Sequence, residues 1–268
     1  MSKPLNRALL IVGMHRSMTS LAAQWLHHCG LHMGDDLYGA GIGNVKGHYE
    51  DKDFINLHDH VLKNNNSHWR NSSSQKFEFD KYSVEKSKML VRLKSGLYGQ
   101  WGWKDPRTCL FLDHWNDIVP NARYLIVYRP FTEVVDSFLR REFKVKNRVE
   151  YILEMRKYVS KFLNYNRKKE DNLRLWMHYN SSILDFLERV SMERFVVLRN
   201  DQLLQNSDLV FKKITESWGF DLDYVPVKSI FDAEITKKAP ADLLKGVDNR
   251  LVEKASEIEG QLAAYSES

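Results

Sequence analysis

The first strongly patterned part of the chain is an apolar run that ends at a glycine and is followed, after a few polar residues, by a periodic segment. The run covers residues 8–12, the glycine is Gly13, and the periodic segment covers residues 21–29. A short aliphatic run bounded by glycine is typical of a buried strand, whereas apolar residues at every third or fourth position indicate a helix. The pattern therefore predicts a strand, a polar loop and a helix in succession.

Strand-like and helix-like patterns continue to alternate along the rest of the chain. Predicted strands cover residues 101–103, 122–128 and 195–198, and predicted helices cover residues 82–97, 151–167, 172–190 and 242–265. This alternation is typical of an α/β domain with a parallel sheet.

Two polar stretches have both a structural and a functional interpretation. Residues 64–76 contain runs of Asn and Ser, which predict a plain surface loop, with a lid over an acceptor as the alternative. Basic residues accumulate between positions 140 and 148. Such a run is typical of a solvated face, and it also suits the steering of an anionic ligand.

The polar loop after the first strand has the composition of an anion site. The N–H groups at the start of a helix have no partner within the helix, and the helix dipole adds partial positive charge there. This end of a helix is therefore a natural phosphate site. The loop reads GMHRSMTS and adds one permanent cation and three hydroxyl groups, from Arg16, Ser17, Thr19 and Ser20.

The same loop departs from the pattern of P-loop NTPases. Placing GxxxxGK[ST] on Gly13 puts Met18 at the second glycine and Thr19 at the lysine. A nucleotide-dependent kinase on the same fold is therefore the weaker alternative, because the cation that binds its phosphates is missing. Met18 is tolerable if its backbone is helical, since only a left-handed backbone favours glycine.

Basic residues also follow the predicted strand at residues 101–103. The segment reads WGWKDPRT, in which the proline ends the strand and Thr108 caps the next helix. Lys104 and Arg107 thus lie at the carboxyl end of a strand, where open parallel sheets bind their ligands. The alternative is a surface ion pair between Lys104 and Asp105.

A glycine-rich loop, residues 39–47, leads into His48, Glu50 and Asp51 at the start of a predicted helix. The structural interpretation is that the two acidic residues complement the helix dipole. The functional interpretation is that Glu50 is a general base that faces residues 13–20, which we call the phosphate loop, and that His48 is the rival base.

The strand at residues 122–128 is followed by Arg129 and, eight positions later, by Ser137. Pro130 suits the first turn of the intervening helix. An arginine after a strand is common, so this spacing gains its meaning only together with the two other motifs.

Together, GMHRSMTS, WGWKDPRT and the Arg129–Ser137 spacing resemble the sulfotransferases that use 3′-phosphoadenosine-5′-phosphosulfate, in particular the bacterial type. The resemblance implies a P-loop-like three-layer α/β fold, with a central parallel sheet flanked by helices, formed by residues 1–268 as one domain. It implies that Arg129 and Ser137 hold the 3′-phosphate of the donor. The residues implied to hold the 5′-phosphosulfate are Gly13, His15, Arg16, Ser17, Met18, Thr19 and Ser20, with Met18 in place of the family's glycine.

The resemblance also assigns catalytic roles to four side chains. Glu50 takes the proton of the acceptor, Lys104 serves the leaving oxygen, Arg16 stabilises charge, and His48 is the alternative base. The implied reaction transfers a sulfuryl group to an acceptor hydroxyl, with a carbohydrate as the first expectation, and leaves 3′-phosphoadenosine-5′-phosphate. A catalytically inactive module that retains the donor site is the second alternative.

Composition narrows the classes of partner. The chain has 268 residues, of which 43% are hydrophobic, and a net charge of +5 that favours anionic ligands. Cys29 and Cys109 lie in apolar segments and are expected to be buried free thiols. No signal peptide or anchor is recognisable, so we expect a cytoplasmic protein without a membrane span. We expect no nucleic-acid partner and no metal, and the sequence does not predict an oligomeric state.

Overall fold

The described part of the chain contains a sheet of four parallel strands. A computed structural model describes residues 6–39, 47–73, 75–146, 158–231 and 238–267, and for residues 143–146 and 158–164 it describes the backbone alone. The strands are β1 Arg7–Val12, β2 Gln100–Lys104, β3 Arg123–Tyr128 and β4 Phe195–Arg199. They pair in the order β2-β1-β3-β4, and each pairing is parallel. The predicted strands are confirmed.

Helices occupy the segments between and after the strands. Those before β3 are α1 Thr19–His28, α2 Lys52–Asn64, α3 Lys81–Leu97 and α4 Leu112–Ile118. Those after β3 are α5 Phe131–Lys146, α6 Tyr158–Leu187, α7 Gln202–Gln205, α8 Ser207–Lys212 and α9 Asn249–Glu267. Within the described residues, no helix is both long and apolar enough to cross a membrane.

The strand order changes direction at β1. The connection from β1 leads to β2 on one side, and the connection from β2 leads back over β1 to β3 on the other side. At such a topological switch point, the loops that follow the two central strands diverge and leave a crevice at the carboxyl end of the sheet. The fold therefore offers a ligand crevice between the loops that follow β1 and β3.

The side chains of β1 alternate between two buried faces of the sheet. Leu10 and Val12 belong to a core that includes residues of α2, α4, α5, α6 and α9. Leu9 and Ile11 belong to a second core with α1 and α8. Successive residues of a strand point to opposite faces, and both faces are apolar here because helices cover both. The three-layer α/β fold is confirmed.

One helix replaces two predicted helices in the second half of the chain. We expected separate helices at residues 151–167 and 172–190, whereas the structure has the single helix α6. The sequence of α6 contains neither Gly nor Pro, so nothing in it ends the helix near residue 170. Residues 151–157 of the first predicted helix lie outside the described residues.

Two helix starts also differ from the prediction. The segment after β2 begins with a 3₁₀ helix, Pro106–Phe111, whose cap is Asp105, with its carboxylate accepting from the N–H of Arg107 at 3.1 Å. Thr108, the predicted cap, instead accepts a hydrogen bond from Trp103 Nε1 at 3.1 Å. The last helix, α9, begins at Asn249, later than predicted, because the residues before it form turns.

Candidate active site

The N-terminus of α1 lacks a side-chain cap of the kind that α2 and α3 have. Its N-cap residue is Met18, which makes no side-chain cap bond, and no acidic residue lies in the first turn. By contrast, Asp51 caps α2 and Asp80 caps α3. The first N–H groups of α1 therefore keep their positive field for an anion outside the helix.

The loop before α1 contains two residues with a left-handed backbone. The φ angles of Arg16 and Met18 are 72° and 67°. Met18 therefore does not have the right-handed helical backbone that would make a methionine tolerable here. A left-handed residue with a Cβ atom is strained by about 1–2 kcal/mol. The Met18 sulfur lies 3.5 Å from the amide nitrogen of Asn200, which follows β4.

Gly13 brings this loop against β3. A Cβ atom at Gly13 would lie 2.2 Å from the carbonyl oxygen of Val127 and 2.7 Å from the Thr19 methyl group. Only glycine fits this close approach. The loop is consequently held at the edge of the crevice between β1 and β3.

Arg16 connects the loop after β1 to the helix after β3. Its Nε donates to Ser137 Oγ at 2.9 Å, and its carbonyl oxygen accepts from Arg129 Nη1 at 3.2 Å. Arg129 also donates from Nε to Glu133 Oε2 at 2.7 Å. The structure thus brings together, in one crevice, the residues that the resemblance assigned to the two ends of the donor.

Besides His15 Nε2, on a partly buried ring, two polar atoms in this crevice are buried without a hydrogen-bond partner in the described part of the chain. They are Ser17 Oγ and Arg129 Nη2, on side chains that are themselves almost fully buried. Buried polar groups of folded proteins are nearly always hydrogen-bonded, and exceptions mark strain or a ligand position. These two atoms are of the kind that binds phosphate oxygens.

Positive charge accumulates around Arg16. Burial and, in decreasing order of strength, the charges of Arg141, Arg129 and Arg140 together lower the pKa of Arg16 to about 10. Arg140 pairs with Asp136 at 2.8 Å. An anion in the crevice relieves this mutual repulsion.

Lys104 and Glu50 form a buried pair beside the start of α1. Lys104 Nζ lies 2.5 Å from Glu50 Oε1 and 3.2 Å from Ser20 Oγ. Burial lowers the pKa of Lys104, and burial raises the pKa of Glu50. The interpretation of Lys104 and Asp105 as a surface pair is wrong, since both residues are at most 1% exposed.

The side chain of His48 lies beside that of Glu50. Its Nδ1 is 3.9 Å from Glu50 Oε1. Burial, followed by the charges of Lys104, Arg141 and Arg16, lowers the pKa of His48 to about 4. The imidazole is therefore neutral at pH 7, which is the state that a general base requires.

A buried chain of hydrogen bonds supports the segment after β2. Trp115 Nε1 donates to His58 Nε2 at 2.8 Å, so the other ring nitrogen of His58 carries the proton and donates to Asp105 at 2.6 Å. Burial acts to raise the pKa of Asp105, but the Arg107 charge and the His58 hydrogen bond hold it well below its usual range. Arg107 is thereby fixed with Nη2 3.9 Å from Glu50 Oε2.

A buried lysine on α3 forms ion pairs with the segment that carries Glu50. Lys94 Nζ lies 2.6 Å from Asp51 Oδ2 and also contacts Asp35. The residues on the two sides of the glycine-rich loop also pair directly, since the Tyr38 N–H donates to the Glu50 carbonyl oxygen at 2.7 Å. The sequence pattern did not point to Lys94, since a lysine in a helix is ordinarily exposed.

The polar loop after α2 lies at the surface, as expected, and its Trp69 side chain also contacts the loop of residues 13–20. The ring of Trp69 lies 4.5 Å from that of His15, and the Trp69 carbonyl oxygen accepts from the Tyr179 hydroxyl at 2.8 Å. Arg70 donates to Asn172 Oδ1 at 2.8 Å. Burial lowers the pKa of His15 to about 3, so this ring is neutral.

Some predictions lie partly or wholly outside the described residues. These are residues 40–46 of the glycine-rich loop, and Arg148 together with the side chains of Lys144 and Lys146 in the basic cluster. Among the described residues, no group of three or more His, Cys, Asp or Glu side chains is arranged as metal ligands. The expectation that no metal takes part stays a prediction. Both cysteines are free and buried, as expected.

Solved sulfotransferase structures are similar to this chain over nearly its whole length. The sulfotransferase domain from the curacin biosynthetic pathway has a TM-score of 0.53 and 13% identity, over 97% of this chain and 99% of its own. The sulfotransferase from Alicyclobacillus acidocaldarius has a TM-score of 0.54 and 16% identity, over 100% and 97%. Sulfotransferase STF9 from Mycobacterium avium has a TM-score of 0.59 and 11% identity, over 95% and 76%.

No protein-family model and no curated protein matches the chain. The chain nevertheless has the fold of these sulfotransferases, which confirms at the level of the fold the resemblance that its motifs carry.

Proposed function

We propose that this protein transfers a sulfuryl group from 3′-phosphoadenosine-5′-phosphosulfate to an acceptor hydroxyl. The observation that carries the proposal is the position of Lys104, whose Nζ contacts Ser20 Oγ in the first turn of α1 and Glu50 Oε1. Lys104 thus links the proposed anion site at the start of α1 to the Glu50 carboxylate, whose pKa is raised. The proposed transfer needs an anion site for the donor, a cation for the leaving oxygen and a base for the acceptor at one point.

The crevice fits a donor with phosphate groups at two ends. The uncapped start of α1, the Arg16 side chain and Ser17 Oγ are the groups that would hold the 5′-phosphosulfate. Arg129 Nη2, which lacks a partner in the described part of the chain, and Ser137 would hold the 3′-phosphate. Arg16 and Met18 of this loop have a left-handed backbone.

The chemical step is an in-line displacement at sulfur. The acceptor O–H bond breaks and its proton passes to the base, while the acceptor oxygen bonds to sulfur and the bond from sulfur to the 5′-phosphate oxygen breaks. By analogy with phosphoryl transfer, positioning and electrostatic stabilisation supply most of the rate. Arg16 stays protonated and stabilises charge, whereas Lys104 can stabilise the leaving oxygen and also protonate it.

Glu50 is the proposed base, and His48 is its rival. The carboxylate of Glu50 is a stronger base than an ordinary glutamate because burial raises its pKa. Its contact with Lys104 couples the group that accepts the proton to the group that serves the leaving oxygen. Arg107, 3.9 Å from Glu50 Oε2, limits the movement of the same carboxylate.

The acceptor is proposed as a hydroxyl compound, with carbohydrates as the first class to test. An acceptor screen should include sugars, lipids, small alcohols and peptides, with transfer of ³⁵S from labelled donor as the measurement. Label in an acceptor, abolished by Lys104→Ala, supports the proposal. Hydrolysis or no reaction with every class contradicts the transferase activity.

Donor identity has its own test. Calorimetry should show 3′-phosphoadenosine-5′-phosphate binding at least about tenfold more tightly than AMP, because a charge-assisted hydrogen bond contributes about 1.5–3 kcal/mol. Arg129→Ala should remove most of this difference, and Arg250→Ala on exposed α9 serves as the matched control. Equal affinity of the wild type for both nucleotides contradicts a 3′-phosphate site.

One observation favours a second function, an inactive donor-binding module. Met18 has a left-handed backbone at the position where the resembled family has glycine. A module of this kind would bind 3′-phosphoadenosine-5′-phosphate selectively and transfer no label to any acceptor. The two measurements above therefore separate the two functions.

A further inference from the structure

Helix α3 buries polar side chains and exposes large apolar ones. Its buried residues are Ser83, Ser87, Leu90 and Lys94, whereas four large apolar side chains on an adjacent face are exposed to solvent. These four, which we call the α3 stripe, are Tyr82, Met89, Leu93 and Leu97, with exposed fractions of 60%, 48%, 48% and 61%. Their spacing of seven, four and four residues places them along one line of the helix. A helix at the surface of a domain normally has the opposite arrangement.

The buried side of α3 explains how the helix is held without the stripe. Ser87 Oγ donates to the Ser83 carbonyl oxygen at 2.7 Å and lies 2.8 Å from His114 Nε2. Lys94 pairs with Asp51 at 2.6 Å. These polar contacts, together with buried Leu90, attach α3 to the domain. The Tyr82 ring lies 5.1 Å from that of His60, whereas Met89, Leu93 and Leu97 belong to neither apolar core. An exposed apolar line of this length is typical of an interaction surface.

The residues beside the stripe carry excess positive charge. Four cations and one acid flank it, namely Lys81, Lys86, Lys88, Arg92 and Glu85. Glu85 pairs with Lys88 at 2.8 Å. Lys81, Lys86 and Arg92 form no ion pair with any residue that the structure describes. The surface is thus apolar along the stripe and basic beside it.

We propose that the α3 stripe docks this protein onto an anionic lipid surface. Apolar side chains of an amphipathic helix enter the boundary between headgroups and acyl chains, while lysine and arginine extend to the anionic headgroups. A second copy of the chain is disfavoured as the occupant, because facing stripes would bring like charges together. A bilayer also adapts to a single protruding helix face, whereas a protein partner needs a complementary groove.

Vesicle flotation of the full chain tests this docking. The probes are vesicles of phosphatidylcholine alone and of phosphatidylcholine with about one third phosphatidylserine, at low and at physiological salt. We expect flotation with the anionic vesicles only, weakened by salt. Leu93→Ser with Leu97→Ser should reduce the bound fraction at least about tenfold, as should Lys86→Glu with Arg92→Glu.

Matched controls separate the stripe from general stickiness. Leu209 and Met192 are 60% and 58% exposed outside α3, so Leu209→Ser with Met192→Ser should leave flotation unchanged. Arg250→Glu with Lys254→Glu, on exposed positions of α9, is the charge control. Surface substitutions of this kind change stability little, which thermal unfolding of each variant verifies.

Three results would overturn the proposal. The first is no binding of the wild type to anionic vesicles, and the second is an equal loss of binding in the control variants. The third is a wild-type dimer in sedimentation that Leu93→Ser with Leu97→Ser dissociates, because the occupant is then a second copy.

Discussion

Arg16 donates its Nε–H to Ser137 Oγ across 2.9 Å, although the two residues are 121 positions apart in the chain. The contact joins the loop after β1 to the helix after β3 at the switch point of the sheet. It places the proposed 3′-phosphate subsite at Ser137 beside the proposed 5′-phosphosulfate subsite, where Arg16 keeps its charge when the Ser137 hydroxyl is removed.

Removing the Ser137 hydroxyl should therefore affect a ligand with a 3′-phosphate selectively. We expect Ser137→Ala to weaken 3′-phosphoadenosine-5′-phosphate by about tenfold, the usual loss for a hydrogen bond to a charged group, and to leave AMP nearly unchanged. Calorimetry of both nucleotides is the measurement. Ser182→Ala on α6, whose hydroxyl donates to the His178 carbonyl oxygen at 3.0 Å, is the control. An equal loss for both nucleotides would argue against a 3′-phosphate at Ser137.

The base is tested by replacing each candidate separately. Glu50→Gln should lower turnover by about 10²–10⁴-fold, the usual contribution of general base catalysis, while donor affinity stays within about twofold. His48→Ala should retain most of the activity. If His48→Ala abolishes turnover and Glu50→Gln stays active, the base is the histidine.

The pH dependence of kcat/KM should be bell-shaped. The base must be deprotonated, so activity rises as pH increases through the pKa of Glu50, which burial raises above its ordinary value of 4.5. Lys104 must be protonated, so activity falls as pH increases through its pKa, which burial lowers below 10.5. A rate profile from pH 4 to 10 is the measurement, and Glu50→Gln should lose the acidic limb. An acidic limb near pH 4 that persists in Glu50→Gln points to His48.

Glycine at position 18 should relax the phosphate loop. Met18→Gly removes about 1–2 kcal/mol of left-handed strain and adds about 0.5–1 kcal/mol of chain-entropy cost, so we expect the free energy of unfolding to rise by up to about 1.5 kcal/mol. Donor affinity should rise as well, because the backbone can approach the phosphate more closely. The control is Gln24→Gly in the interior of α1, which should lose about 1 kcal/mol. A loss of equal size in Met18→Gly would show that the left-handed backbone is not strained.

Lys94 should be far more important for stability than an exposed lysine of the same helix. Lys94→Met leaves the buried Asp51 carboxylate without its partner, which costs about 3–5 kcal/mol in comparable buried pairs. Lys88→Met breaks an exposed pair with Glu85 and should cost less than about 1 kcal/mol. Urea unfolding measures both. Similar losses in the two variants would contradict the structural role of Lys94.

The sequence predicted most of the local structure and proposed the site residues. Period and composition identify β1, α1 and β3, because one strand or helix is specified by the apolar pattern of its own residues. GMHRSMTS and WGWKDPRT identify Arg16 and Lys104, because each cation follows a buried strand directly and parallel strands present their carboxyl ends at the same edge.

Only the tertiary structure brought these residues into contact. Two ion pairs, Lys104 with Glu50 and Lys94 with Asp51, join segments that no periodic pattern relates. The backbone of Met18 was not predictable either, because methionine ordinarily avoids the left-handed region and adopts it only where surrounding contacts impose it. Residue pattern determines the elements of this protein, whereas the distances that govern its chemistry depend on how the packed sheet and helices place those elements against one another.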